Sequence, residues 1–249
     1  VLHFAGLSAP TLQTSFSGQV VDEKSAPLNF QFNVTVNGST SLTTPQGAFS
    51  FSSDSASIEI AASASYQNIE VFSGFITLQQ DTKLQIQKKV LKLDFASCTG
   101  QVSVTIAQTT QSVDCATSSW VLAPTADFQI EVLKTGYQPL TQPVSVATLT
   151  AFETPIALQI QPFQAIQVQI ADLLGQPLKK QLLTFIDGTR KETDRNGVLT
   201  FTPTQVNSTV TVYHQAVLVA TKVIPYSPAT GQTIRVANLI KVQLTQCRA

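Results

Sequence analysis

The chain has 249 residues, only 12% of them charged, and its 15 basic and 15 acidic side chains leave no net charge. It therefore has no strong field with which to recruit nucleic acid, an anionic membrane surface or an acidic substrate. A 43% hydrophobic share with ordinary Gly and Pro content excludes a disordered polar chain and leaves Ser, Thr and Gln to solvate the surface.

In chain order, residues 1–13 read as a linker or the end of a preceding module, because Pro10 and the small residues around it break any periodicity. Met is absent throughout, as in a processed product or a piece of a longer chain. From Thr14 the alternation is clean. Phe16, Gly18 and Val20 share one face of a first strand, and Phe30, Phe32, Val34 and Val36 alternate in a second. Asn37-Gly38 is a hairpin signal, and Pro45 to Gly47 a turn that returns Phe49 and Phe51 to a core. The pattern predicts a first module over 14–89.

A second module, 90–161, carries Val102 and Val104, then Phe128, Ile130 and Val132 in alternation, with a turn at Thr135 to Tyr137 and Trp120 as a core aromatic. If its hairpin tip lies at Gln108–Gln111, Cys115 faces Val104 and a direct cross-strand bridge to Cys98 fails. The third module, 162–249, opens with Ile166, Val168 and Ile170 on one face and has a turn at Asp194–Gly197. No stretch sustains a helical period with caps, and none approaches the roughly 18 apolar residues needed for a bilayer span. The reading is all-β: three tandem Greek-key, Ig-like or transthyretin-like β-sandwiches in an elongated array.

The first and third modules share two blocks. DEKSAPL at Asp22–Leu28 returns as DLLGQPL at Asp172–Leu178, and the same offset carries Gly47 onto Gly197 and Phe51 onto Phe201. Physically these are scaffold elements: Asp accepts loop amides, Pro fixes φ at the sheet edge, and Gly supplies positive φ. Asp172, Gly175, Pro177, Thr193, Asp194, Asn196, Gly197 and Phe201, with Gly136-Tyr137 in the second module, make the chain resemble the carboxypeptidase regulatory-like modules. That resemblance implies small transthyretin-like sandwiches and an extracytoplasmic habit, and it brings no catalytic residues. Ser25, Thr44 and Gln46 depart from the pattern in the first module, and the second lacks the opening block.

Chemistry is sparse. His3 and His214 are the only histidines, too few and too distant for a zinc set or a nucleophile with its base. Asp187, Glu192 and Asp194 around Arg190 and Lys191 read as a solvated hairpin tip, with calcium as the alternative. No cofactor motif is present. Cys98 and Cys115 share inward parity and are disulfide candidates, with two buried thiols as the alternative; Cys247 is left unpaired or interchain. Asn33, Asn37 and Asn207 fit the N-glycosylation acceptor pattern.

These features predict an extracellular or cell-surface protein, with the ER lumen as the alternative. The expected role is a non-enzymatic structural array that spaces domains or self-assembles. The alternatives are an adhesin or receptor segment that binds a glycan or protein through loops, of which Tyr137 and Tyr226 are the exposed-aromatic candidates, and an accessory region of a larger enzyme. The expected partners are other protein domains or copies of the chain itself.

Overall fold

A computed structural model describes residues 14–53, 59–77, 79, 81–178, 183–214, 217–228 and 231–236. It is built of strands, with one 3-10 turn at Val146–Thr148.

The first unit comprises β1 (Thr14–Val21), β2 (Asn33–Val36), β3 (Ser39–Leu42), β4 (Ala48–Ser53), β5 (Glu59–Tyr66), β6 (Ile69–Thr77) and β7 (Thr82–Gln85). The second comprises β8 (Val90–Ala96), β9 (Gln101–Ile106), β10 (Thr109–Asp114), β11 (Ser119–Leu122), β12 (Phe128–Leu133), β13 (Leu140–Val144) and β14 (Glu153–Gln159). The third comprises β15 (Ile166–Asp172), β16 (Leu183–Ile186), β17 (Thr189–Glu192), β18 (Val198–Phe201), β19 (Asn207–His214), β20 (Val217–Pro225) and β21 (Gln232–Val236).

Each unit repeats one topology. A three-stranded sheet runs fourth-first-seventh, and a four-stranded sheet runs third-second-fifth-sixth, so the chain crosses between sheets in Greek-key fashion. The first and seventh strands pair in parallel, as in Val20 beside Leu84 and Ile170 beside Ile234. This is the transthyretin-like sandwich.

Alternation builds each core. In β12, Phe128, Ile130 and Val132 are buried while Gln129, Glu131 and Leu133 are exposed, as a half-buried strand requires. Three clusters follow, led by Phe32, Val34 and Leu84; Leu91, Ile130 and Leu158; and Val168, Leu199 and Val210. The links between units are short, residues 86–89 and 160–165, and they bury Ile86, Ile160 and Phe163.

Candidate functional site

The shared turn blocks do scaffold work. Asp22 Oδ1 accepts the amides of Lys24 at 2.9 Å and Ala26 at 2.8 Å, and Asp172 Oδ1 accepts those of Leu174 and Gln176 at the same distances. Pro27 and Pro177 then form isolated bridges to Val21 and Ala171. Gly47 and Gly197 stand at φ +77 and +74, where a Cβ would meet the carbonyls of Leu28 at 2.6 Å and Leu178 at 2.9 Å. Glycine is needed there for both reasons. Ser25 takes the same left-handed conformation, φ 63, that Gly175 holds at φ 85.

The second unit has the cross-link. Cys98 and Cys115 form a disulfide with Cα atoms 5.6 Å apart, and both are buried. The hairpin tip lies at Ala107-Gln108, both at positive φ, and not at Gln108–Gln111; Thr109 therefore faces Ile106, and Cys115 falls beside Gly100 instead of Val104. The bridge joins the loop before β9 to the residue after β10. Cys247 and His3 lie outside the described residues.

In the third unit the three carboxylates are spread out and each is engaged: Asp187 stands at the β16–β17 tip, Glu192 at the far end of β17 and Asp194 in the turn after it, so they do not form the single hairpin tip the sequence suggests. Asp187 Oδ1 accepts the Thr209 amide, Asp194 Oδ1 accepts those of Asn196 and Val198, and Glu192 pairs with Arg190 at 3.1 Å. Among the described residues no group of His, Cys, Asp and Glu is arranged to hold a metal. Asn33, Asn37 and Asn207 are all exposed, Asn37 at the β2–β3 tip with Gly38.

The most built-up side-chain constellation lies between the first two units. Glu153 at the start of β14 reaches across, and its Oε2 accepts both the Tyr66 hydroxyl at 2.5 Å and the Trp120 indole N–H at 2.8 Å. Beside it Phe152 enters the first unit's core, with its ring 5.1 Å from Phe30 and 5.3 Å from Tyr66. Burial, then the hydrogen bond and the charge of Glu153, push the Tyr66 hydroxyl up to about 12. Trp120 also packs on the first unit's core, so it is a junction residue and not a core aromatic of its own unit. Its apolar body and single donor suit it to that place. Lys89 Nζ closes the linker onto the Leu149 carbonyl at 2.5 Å.

On another side of this junction lies a cleft of 730 Å³, whose lining includes Leu28, Phe30, Ile86, Leu149 and Phe152, with Glu23, Lys24 and Lys88 among its charged residues.

The second junction is smaller. The Gly136 amide donates to the Thr204 carbonyl at 2.9 Å, Phe163 meets Tyr226 edge to face at 4.7 Å, and the Gln164 amide donates to the Tyr226 hydroxyl at 3.1 Å. Tyr226 is thus committed to the junction, and Tyr137 lies under Lys134 Nζ, 5.5 Å from its ring centroid. Neither is a free surface aromatic. Phe75, 74% exposed, is.

No protein-family model and no curated protein matches the chain. Among solved structures it is similar to the Bacillus anthracis TIE protein at 12% identity and a TM-score of 0.31, covering 91% of this chain and 50% of that one. It is similar to a Streptococcal ancillary pilin at 7% identity and a TM-score of 0.31, covering 92% of this chain and 100% of that one. It is also similar to the major pilin subunit of Bacillus cereus at 9% identity and a TM-score of 0.26, covering 91% and 99%. Likenesses at this level assign neither family nor function. The chain spans about half the length of the first of these structures.

Sequence reasoning missed Glu153 and Phe152. One signal was available: Glu153 is the only acid between Glu131 and Asp172, in a segment that otherwise reads as strand.

Proposed function

We propose that the chain is a non-enzymatic, extracytoplasmic structural array that holds its sandwiches end to end, spaces other protein domains and assembles with them or with copies of itself. The observation that carries this reading is the first junction, where Glu153 of one unit is held by Tyr66 of the other and Phe152 packs inside its neighbour's core. Linkers that bury their apolar residues resist bending. The Cys98–Cys115 disulfide and the exposed Asn33, Asn37 and Asn207 support passage through an oxidising, glycosylating compartment, in which those asparagines carry glycans. The paired Asp–Pro and Gly turns support membership in the carboxypeptidase regulatory-like modules. The three modules are taken as 14–89, 90–161 and 162–249, and Cys247 as unpaired or interchain.

Small-angle scattering tests the array. A rod-like profile that becomes flexible in Glu153→Ala is expected, and a compact globule or freely jointed units in the unaltered chain would overturn it.

The apolar cleft with charged residues among its lining favours a second reading, a segment that binds a glycan or protein there. A glycan array tests its glycan form, with binding lost in Lys88→Glu as the supporting result and no hits as the refuting one.

A further inference from the structure

In every unit the four-stranded sheet ends on its sixth strand, β6, β13 or β20, and among the described residues nothing pairs with the outer side of any of them. Such an edge offers a row of unused amide and carbonyl groups, and proteins blunt it with proline or with an inward-turned charge. β13 contains Pro143. β20 contains Lys222, which sits opposite the buried Val210 on the core-facing side and sends its Nζ to the Thr233 carbonyl at 3.2 Å.

β6 has neither device. From Val71 to Thr77 it has no charge and no proline. Phe72, Gly74 and Ile76 lie opposite Ala64, Ala62 and Ile60 and face the core, while Ser73 and Phe75 face outward. Among the described residues, only the Glu70 carbonyl at the strand's start is taken, by Lys88 Nζ at 3.4 Å.

We propose that this edge is an interface with a second copy of the chain, formed by antiparallel pairing of β6 with its counterpart about a two-fold axis at Gly74. The inference rests on the reading of the chain as an assembling array and adds the surface. In this register Phe72 of each copy lies beside Ile76 of the other and Ser73 beside Phe75, so core-facing and outward-facing positions match and the pleat continues across the axis. Glu70, the strand's one charged residue, falls beyond Thr77 of the other copy, so like charges do not meet. The chain has no net charge to oppose association. Each β6 edge is consumed by one pairing, which closes the assembly at a dimer.

Sedimentation velocity across the micromolar range, on a Cys247→Ser background that removes any interchain disulfide through that residue, tests the interface. A reversible dimer is expected, with Gly74→Lys and Phe75→Glu each raising its dissociation constant at least about tenfold and circular dichroism unchanged. A Cβ at Gly74 meets only Phe72 Cζ, at 3.6 Å, so the lysine has room. A monomer at every concentration overturns the interface, while scattering from that monomer still tests the spacer reading separately. A dimer indifferent to Gly74→Lys also overturns it, since its contact then lies elsewhere. Hydrogen exchange gives an independent measurement: the amides of Val71–Thr77 gain protection on concentration, and a lack of that gain refutes the pairing whatever the variants do.

Discussion

Cys115 of the second unit occupies the place that Thr43 holds in the first. Each is the residue after the third strand, each is buried, and each amide donates to the opposite strand or loop, Thr43 to Phe32 at 2.8 Å and Cys115 to Gly100 at 3.0 Å. Thr43 completes the tie with its hydroxyl, which accepts the Phe32 amide at 2.8 Å. Cys115 completes it with a covalent bond to Cys98. One structural task, closing the end of the sandwich between two loops, is done by a hydrogen bond in one unit and a disulfide in the next.

Removing the covalent version costs more. Cys98→Ser with Cys115→Ser frees a loop of sequence separation 17, and the expected loss is about 3 kcal/mol, confined to the second unit. Thr43→Ala leaves the buried Phe32 amide without its acceptor, for an expected loss of roughly 1–3 kcal/mol in the first unit. Calorimetry of each variant checks both, since each should lower one transition and spare the others.

Tyr66 makes the first junction sensitive to alkali. Its hydroxyl is raised from 10.0 to about 12, so below pH 10 it is protonated in folded and unfolded chains alike and its contribution to stability is complete. Between pH 10 and about 12 the unfolded tyrosine ionises while the folded one keeps its proton, so stability falls as pH rises. Tyrosinate absorbance should show a late-titrating component that is lost in Tyr66→Phe. Unfolding free energy in that variant should lack this share of the decline.

Glu153→Ala leaves the Tyr66 hydroxyl and the Trp120 indole without their shared acceptor. The expected cost is roughly 1–3 kcal/mol to the first junction. Trp120 is the only tryptophan, so its fluorescence reads this site alone. A red shift with no change in circular dichroism is the expected result.

Ser25 sits at φ 63 where the third unit has Gly175, and a side chain in that region costs about 1 kcal/mol. Ser25→Gly should therefore stabilise the first unit by about that amount. Gly197→Ala should destabilise the third by about 2 kcal/mol or more, because strain at φ +74 adds to the close Leu178 carbonyl. Chemical denaturation of both variants checks the opposite signs.

The strands were legible wherever one face is buried and the other wet, as in β12 and β19, because a period of two then appears directly in residue type. The turns of the third unit were legible because Asp194, Asn196 and Gly197 are the residues such a turn requires. The β9–β10 tip was not: neither Ala107 nor Gln108 is a usual carrier of positive φ, so the register slid and Cys115 was set opposite the wrong residue. The junction was less legible still. Glu153 draws one partner from 33 residues away and another from 87, and no local pattern in the sequence records either separation.

The parallel pairing of first and last strands governs how each unit responds to being pulled. With Val20 beside Leu84, Leu93 beside Ile156 and Ile170 beside Ile234, both strands run the same way, so the chain enters a unit at one end of the pair and leaves from the other. Tension along the chain then slides the two strands past one another and strains their hydrogen bonds together, where an antiparallel pair joined at one end would open them one at a time. Among the described residues the second unit has the longest such pair, seven residues from Glu153 beside Val90 to Gln159 beside Ala96. Under load the shorter pairs of the first and third units are expected to give way before it.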